Sequence, residues 1–319
     1  MPARFRADHV GSFLRSQELQ QAHTAQQRGE LPLPELRALE DREILKVLDL
    51  QRQVGIDVFT DGEYRRGGWA TDFAEAVAGF VPGTPPVVMT WHASPATPAT
   101  QAAPQPAGTG TGGPVGRIIG ERLRPQRRIT AHEVAFLKQH AGGPIKMTMP
   151  AASYVVARGY KPGVTDTVYA DRSEVLRDVA GIVQGEVAAL AADGVAYIQL
   201  DNPHYPDYIS EERREQWRSL GVDADQALAE DVEADNATLR GVDRGQVVLG
   251  LVTTKSPELE PQDQLLRRVE EAAKYVPLED LALSPQCGFA STAPGNLLTP
   301  DEQRRKLELV VDTARKVWG

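Results

Sequence analysis

Residues 175–201 read VLRDVAGIVQGEVAALAADGVAYIQLD, and two periodicities meet in them. Val175, Leu176, Val179, Ile182, Val183, Val187 and Leu190 recur at three- and four-residue spacing, so they share one face of a helix. Gly194 ends that helix. The run Ala196-Tyr197-Ile198-Gln199-Leu200 then has strand length and leads straight to the carboxylate of Asp201. A helix that feeds a buried strand with a polar residue at its end is one unit of a parallel α/β fold.

The same unit recurs outward in both directions. Upstream, Ile44, Val47, Leu48 and Val54 predict a helix over 41–54, stopped by Gly55 and followed by the strand Ile56-Asp57-Val58-Phe59-Thr60 and the turn Asp61-Gly62-Glu63. Phe5 to Ser12 reads as a first strand with its loop, and Ile145 to Met149 as another, closed by Pro150. Downstream, a helix over about 223–239 precedes the strand Val247 to Val252, and Leu281 to Ser284 runs into Cys287. A closing helix over 300–318 has Pro300 near its first turn. The stretch 82–116 differs, being rich in Ala, Pro, Thr and Gly; it reads as a mobile loop around a strand at Val87–Trp91 or, alternatively, Val115–Ile119. No Gly-rich dinucleotide fingerprint follows any strand. Length and strand count therefore favour a TIM-type (β/α)8 barrel, as a single domain over 1–319, above an open doubly wound sheet.

Bulk properties narrow the function classes. A chain of 319 residues with 41% hydrophobic content can bury a sizeable core. No apolar run approaches the roughly 20 residues that span a bilayer, and the first residues lack the apolar core of a signal peptide. The single cysteine excludes an intrachain disulfide framework and suits a reducing cytoplasm. A formal charge of −9 argues against nucleic acid as a partner, and the Arg-rich piece 122–128 reads as a solvated surface run. A small-molecule substrate remains the expected partner.

In a barrel of this type the chemistry sits at the C-terminal ends of the strands. There the sequence places His9 and Ser12, Asp61 and Glu63, Asp201 and His204, Lys255, and Cys287, which converge on one mouth. His23, His92, His132 and His140 read as surface residues.

Four pieces carry a resemblance: Asp8-His9-Val10-Gly11-Ser12-Phe13-Leu14-Arg15, Thr60-Asp61-Gly62-Glu63-Tyr64-Arg65-Arg66, Tyr197-Ile198-Gln199-Leu200-Asp201-Asn202-Pro203 and Ser284-Pro285-Gln286-Cys287-Gly288-Phe289. Taken together and in this order, they resemble the catalytic C-terminal barrel of the cobalamin-independent methionine synthase family, within the methionine synthase/uroporphyrinogen decarboxylase-like superfamily. The resemblance implies that Ser12 helps hold the carboxylate of homocysteine and that Glu63 and Asp201 bind its ammonium group; His9, in the first matching piece, reads either as a substrate-binding residue or as a hydrogen-bonded structural histidine. It implies that Cys287 is a zinc thiolate. In the family the zinc keeps the homocysteine sulfur as a thiolate, which takes a methyl group from 5-methyltetrahydrofolate.

One departure is large. The family's His-x-Cys and glutamate strands supply the other three zinc ligands. Here Asn236-Ala237-Thr238-Leu239-Arg240-Gly241 matches the segment before them, and Val247 to Lys255 already matches a segment beyond them. The stretch between is missing. Four-coordinate zinc needs three or four ligands at fixed geometry, so Cys287 alone does not make the family's site; a rebuilt site would have to recruit His9, His204 or Glu63. Loss of a strand also opens the barrel and exposes sheet edges that a homodimer partner, the Pro-rich segment or a rearranged strand would have to cover. Three functions stay open: a methionine synthase-like methyltransferase for a small amino acid or thiol, a zinc-free lyase-type enzyme with Asp201 or His204 as acid–base, and a non-catalytic amino-acid-binding relative.

Overall fold

The computed structural model of the chain describes residues 5–84, 116–219, 222–242, 245–291 and 295–319. The expected strand at Val87–Trp91 and His92 lie outside these residues. In chain order the elements are α1 (Gln17–Gln27), α2 (Leu33–Val54), α3 (Thr71–Ala76), β1 (Val77–Pro82), β2 (Arg117–Pro125), α4 (Ala131–His140), β3 (Lys146–Pro150) and α5 (Ala152–Gly159). They continue with α6 (Arg172–Ala192), β4 (Tyr197–Asp201), α7 (Glu211–Ser219), α8 (Ala224–Thr238), β5 (Val247–Val252), α9 (Gln262–Ala272), β6 (Leu281–Pro285) and α10 (Pro300–Trp318). No described helix is long and apolar enough to cross a membrane.

Local chemistry explains the boundaries. Asp171 caps α6 by accepting from the Glu174 N–H, and the helix buries Val175, Leu176, Val179, Val183, Val187 and Leu190. Gly194 then takes φ +76°, a conformation open to glycine at little steric cost, and the chain turns into β4. Thr299 and Glu302 form a reciprocal capping box at the start of α10. Helix α2 begins well before the expected residue 41, because Pro34 fits its first turn and Leu36 and Leu39 extend the buried face.

The sheet is an arc. β3 pairs in parallel with β4 from Lys146–Tyr197 to Pro150–Asp201, and β5 pairs in parallel with β6. The segments at 5–12 and 56–60 are reduced from full strands to single parallel bridges, Ala7 to Leu283 and Phe59 to Ile145. Backbone bonds still stitch them in: Asp8 N to Leu283 O at 2.9 Å, Asp57 N to Ala7 O at 3.2 Å and Lys146 N to Phe59 O at 2.8 Å. The order of neighbours is thus β5, β6, 6–8, 57–59, β3, β4. Among the described residues, no strand pairs with the outer edge of β4 or of β5. Burial follows this order: β3 and β6 are buried throughout, whereas β4 is half-buried along its length and β5 partly exposed.

The full count of eight strands is corrected among the described residues, whereas the opening expected from a lost strand is what they show. The described residues form an open arc of six parallel segments, with its gap between the outer edges of β4 and β5. Helix α8 packs against α5 and α6 on the outside of that gap. The second correction concerns 77–125. β1 and β2 form an antiparallel pair with a bulge between Ala78 and Phe80 and flank the expected loop at 82–116, most of which lies outside the described residues; β1 was not expected, and β2 overlaps the alternative strand at Val115–Ile119. Arg122 is exposed, as expected of a solvated surface run, and Arg128 is half-buried. They pair with Glu174 at 2.5 Å and Glu186 at 3.1 Å, pinning β2 and the loop after it to α6.

Candidate active site

The turn after the second arc segment holds Glu63 in an uncommon state. Its φ is +58°, the one positive φ among described non-glycine residues, and such a backbone persists only where its surroundings impose it. Asp61 imposes it by accepting the Glu63 N–H at 2.9 Å. The Glu63 side chain is buried; Oε1 accepts from the Thr148 hydroxyl at 3.0 Å and lies 3.7 Å from the Arg66 guanidinium. Oε2 is buried with no hydrogen-bond partner among the described residues. Gly11, at φ +142°, lies against this carboxylate, and a Cβ there would sit 2.8 Å from Oε1.

Two arginines build the frame behind it. Arg66 grips Glu133 with two bonds of 2.6 Å and donates to the Thr148 carbonyl at 3.0 Å. Arg15 donates to the carbonyls of Glu63 at 2.8 Å, Arg66 at 3.2 Å and Ala290 at 3.1 Å, tying three strand-end loops together.

Asp201 ends β4, and its Oδ1 accepts from Gln199 Nε2 at 2.6 Å. Removal from water, and then the nearby Glu63 carboxylate, push Asp201 up to about 7. Asp61 is likewise pushed up to about 7, by burial and then by Glu133. Ser12 is buried, and its hydroxyl oxygen accepts the Ala290 N–H at 3.3 Å. A Cβ on Gly288 would fall on that hydroxyl, so the glycine is what lets the loop 287–290 close over Ser12. Cys287 is half-buried; burial raises its thiol, Lys255 lowers it and Asp201 raises it, which sets the sulfur within electrostatic reach of both. Lys255 itself is exposed.

The two candidate histidines lie in different surroundings. His9 is buried with Nε2 donating to the Val58 carbonyl at 3.1 Å and its ring edge-on to Phe13, and burial followed by Lys146 pushes it down to about 3. It is a neutral imidazole. His204 shares a 2.9 Å bond between Nδ1 and Asp207, and its ring stacks on Trp217 and meets Tyr208 edge-on. These contacts set it against the satellite core of Tyr208, Trp217, Ala224 and Ala227. Three histidines read as surface residues are half-buried instead: His23 bonds the Tyr64 carbonyl at 2.8 Å, His132 lies 3.9 Å from Asp72, and His140 packs its ring on Phe136.

Among the described residues, Asp72, His132 and Glu133 are the one set with ligand atoms close enough to share an ion. Arg66 already engages both Glu133 oxygens, so a cation there would have to displace a bidentate pair. Around Cys287 no such set is found, and the chain holds no second cysteine. The residues do not fit a tetrahedral zinc site at Cys287.

Sequence reasoning missed Lys146 and Gln199. Lys146 is wholly buried inside the arc, bonded to Asp8 at 2.7 Å and to Gln199 at 2.9 Å. The signal was a lysine inside an otherwise apolar strand run. Asp235 on α8 was missed as well; its carboxylate accepts from Ser153 N–H and hydroxyl, Asn202 and Tyr205.

Residues 5–108 match the catalytic-domain family of cobalamin-independent synthase. Two Bacillus subtilis (strain 168) proteins, named uncharacterized protein YxjH and uncharacterized protein YxjG, are 30% and 32% identical over 99% and 98% of this chain and 95% of their own length. A 5-methyltetrahydropteroyltriglutamate–homocysteine methyltransferase of Synechococcus is 23% identical over 88% of the chain, which covers only 40% of that longer protein. A Listeria monocytogenes structure assigned as a vitamin-B12-independent methionine synthase superposes with a TM-score of 0.74 at 26% identity, over 100% of this chain and 99% of its own. A Shewanella B12-independent methionine synthase, solved with selenomethionine, shares the fold with a TM-score of 0.69 at 15% identity, over 99% and 98% of the two chains. The chain belongs to the cobalamin-independent methionine synthase catalytic-domain family. Its alignment with YxjH runs over 379 positions, at least sixty more than the 319 residues here, so YxjH carries residues that this chain lacks.

Proposed function

We propose that the chain is a methionine synthase-type methyltransferase for a small amino acid thiol such as homocysteine, with the ligand's ammonium seated between Glu63 and Asp201. The observation that supports this reading is Glu63 Oε2, a buried oxygen with no partner, near a second carboxylate. Two such groups do not both ionise in a desolvated site unless a cation joins them, and an ammonium brings three donors. Ser12 then serves the carboxylate end: its oxygen already accepts from Ala290, which leaves its proton for a ligand acceptor. Cys287 and Lys255 face the thiol end, where a cation favours the thiolate. His9 and His204 are structural in this reading, holding the first loop and the α7–α8 layer. The family's methyl donor, 5-methyltetrahydrofolate, is the proposed co-substrate. Zinc supplies thiolate activation in the family, but the donors around Cys287 do not fit it, and no step is routed through a metal.

One observation favours a second reading. The missing stretch is the one that carries the family's remaining zinc ligands, which suits a zinc-free enzyme of other chemistry or an amino-acid-binding relative. Calorimetry with L-homocysteine and L-methionine, zinc analysis and a methyl-transfer assay separate these. Binding weakened roughly tenfold by Glu63→Gln or Asp201→Asn, together with transfer activity, supports the methyltransferase. Binding without transfer supports the second reading, and absence of binding overturns both.

A further inference from the structure

Lys146 places a full positive charge inside the arc, where its side chain is wholly excluded from solvent. Its ammonium donates to Asp8 Oδ1 at 2.7 Å, to the His9 carbonyl and to Gln199 Oε1 at 2.9 Å. Asp8 is completed by the Tyr197 hydroxyl, which donates to Oδ2 at 3.1 Å. Desolvation offsets much of the attraction within a buried ion pair, so stability alone does not account for this one.

What it orients is the Gln199 amide. An ammonium only donates, so the Gln199 atom facing Lys146 must be the carbonyl oxygen. The NH2 group then points the other way and donates to the Val10 carbonyl at 2.9 Å and to Asp201 Oδ1 at 2.6 Å. The Val10 carbonyl only accepts, which fixes the same assignment independently. Asp201 stands at the end of β4, which among the described residues is paired on its β3 side alone. Among the described residues, its Oδ2 takes no hydrogen bond.

We propose that Lys146 and Gln199 are positioning residues for the ammonium subsite: Lys146 locks the Gln199 amide so that it always donates to Asp201 Oδ1, which holds the carboxylate in the rotamer that leaves Oδ2 for the ligand. This inference rests on the reading of Glu63 and Asp201 as the ammonium site. Neither positioning residue touches the ligand.

The test compares L-methionine with 3-(methylthio)propanoate, the same molecule without its amino group, by titration calorimetry. Gln199→Met removes the donor, and Asp8→Asn with Lys146→Met removes the buried pair together, so that no lone charge is left inside. Each variant is expected to bind L-methionine roughly tenfold more weakly, as for a lost bond to a charged group, and the des-amino compound about as well as the unaltered protein does. Equal weakening of both compounds would mean a merely structural role and overturns the proposal, as does unchanged affinity for L-methionine. Should the double variant fail to fold by circular dichroism, Gln199→Met decides alone. If the unaltered protein does not prefer L-methionine to the des-amino compound, the ammonium-site reading falls and this inference with it. An intact preference that survives in the variants sinks the relay only.

Discussion

At Asp201 two opposite pH dependences follow from one carboxyl. Its folded value is raised to about 7 by burial and by Glu63, so the folded state holds a proton that the unfolded chain has released. The stability of the ligand-free protein should therefore fall as pH rises from about 4 to about 7 and then level, and Asp61 adds a slope of the same sign. An ammonium ligand needs the charged form, so its affinity should rise over the same range. Asp201→Asn should flatten the affinity profile and remove only its own share of the stability slope, measured by calorimetry and by chemical denaturation at several pH values. Gly288 gives a steric prediction. Gly288→Ala drives a methyl onto the Ser12 hydroxyl and should destabilise by about 1–3 kcal/mol, with part of the loss recovered in the double variant that also carries Ser12→Ala. Ser12, Glu63 and Asp201 were legible in the sequence because each follows a strand, and strand ends meet at one mouth. Lys146 and Gln199 were not, because they lie inside strand runs, and which way an interior side chain reaches depends on its neighbours across the arc.

At the level of elements, α8 does more than cover the sheet. Its start was readable, since Asp223 caps it by accepting from Asp225 N and Gln226 N at 2.9 and 3.0 Å. Its function as a tether was not. Asp235 collects Ser153 from the start of α5 at 2.6 Å, Asn202 from the loop after β4 at 3.1 Å and Tyr205 at 2.7 Å. Asp235→Ala should cost about 2–3 kcal/mol in urea denaturation, because several donors lose a charged acceptor at once. Asp223→Ala should cost about 1 kcal/mol, the usual value of a cap. The same layer explains His204, which neighbours Asp201 in sequence but has its ring held by Trp217 and Tyr208. Three residues of loop are enough to carry a side chain from the mouth to the helical layer.

For the molecule as a whole, the open arc sets the pattern of local stability. Backbone groups on the outer edges of β4 and β5 have no strand partner among the described residues, while β3 and β6 are flanked on both sides. Amide hydrogen exchange should therefore be slowest in β3 and β6 and markedly faster in β4 and β5. Exchange at those edges that slows with rising protein concentration would be the signature of pairing between copies, measurable together with sedimentation. A closed barrel in solution would instead protect all four strands alike.

The sequence by itself determined the order of strands and helices, the placement of Ser12, Glu63, Asp201 and Cys287 at strand ends, and the family. It also revealed the missing stretch, because hydrophobic period, caps and local motifs are written in neighbouring residues. Only the tertiary structure decided that the arc stays open, that Glu63 keeps a buried oxygen without a partner and that Lys146 reaches Asp201 through Gln199. The bonds of Lys146 to Gln199 and to Asp8 join segments 53 and 138 residues apart, and Gln199 carries the link on to Asp201 at the mouth. Their physical origin is a low-dielectric interior, where charges choose partners by distance in space and not by position along the chain.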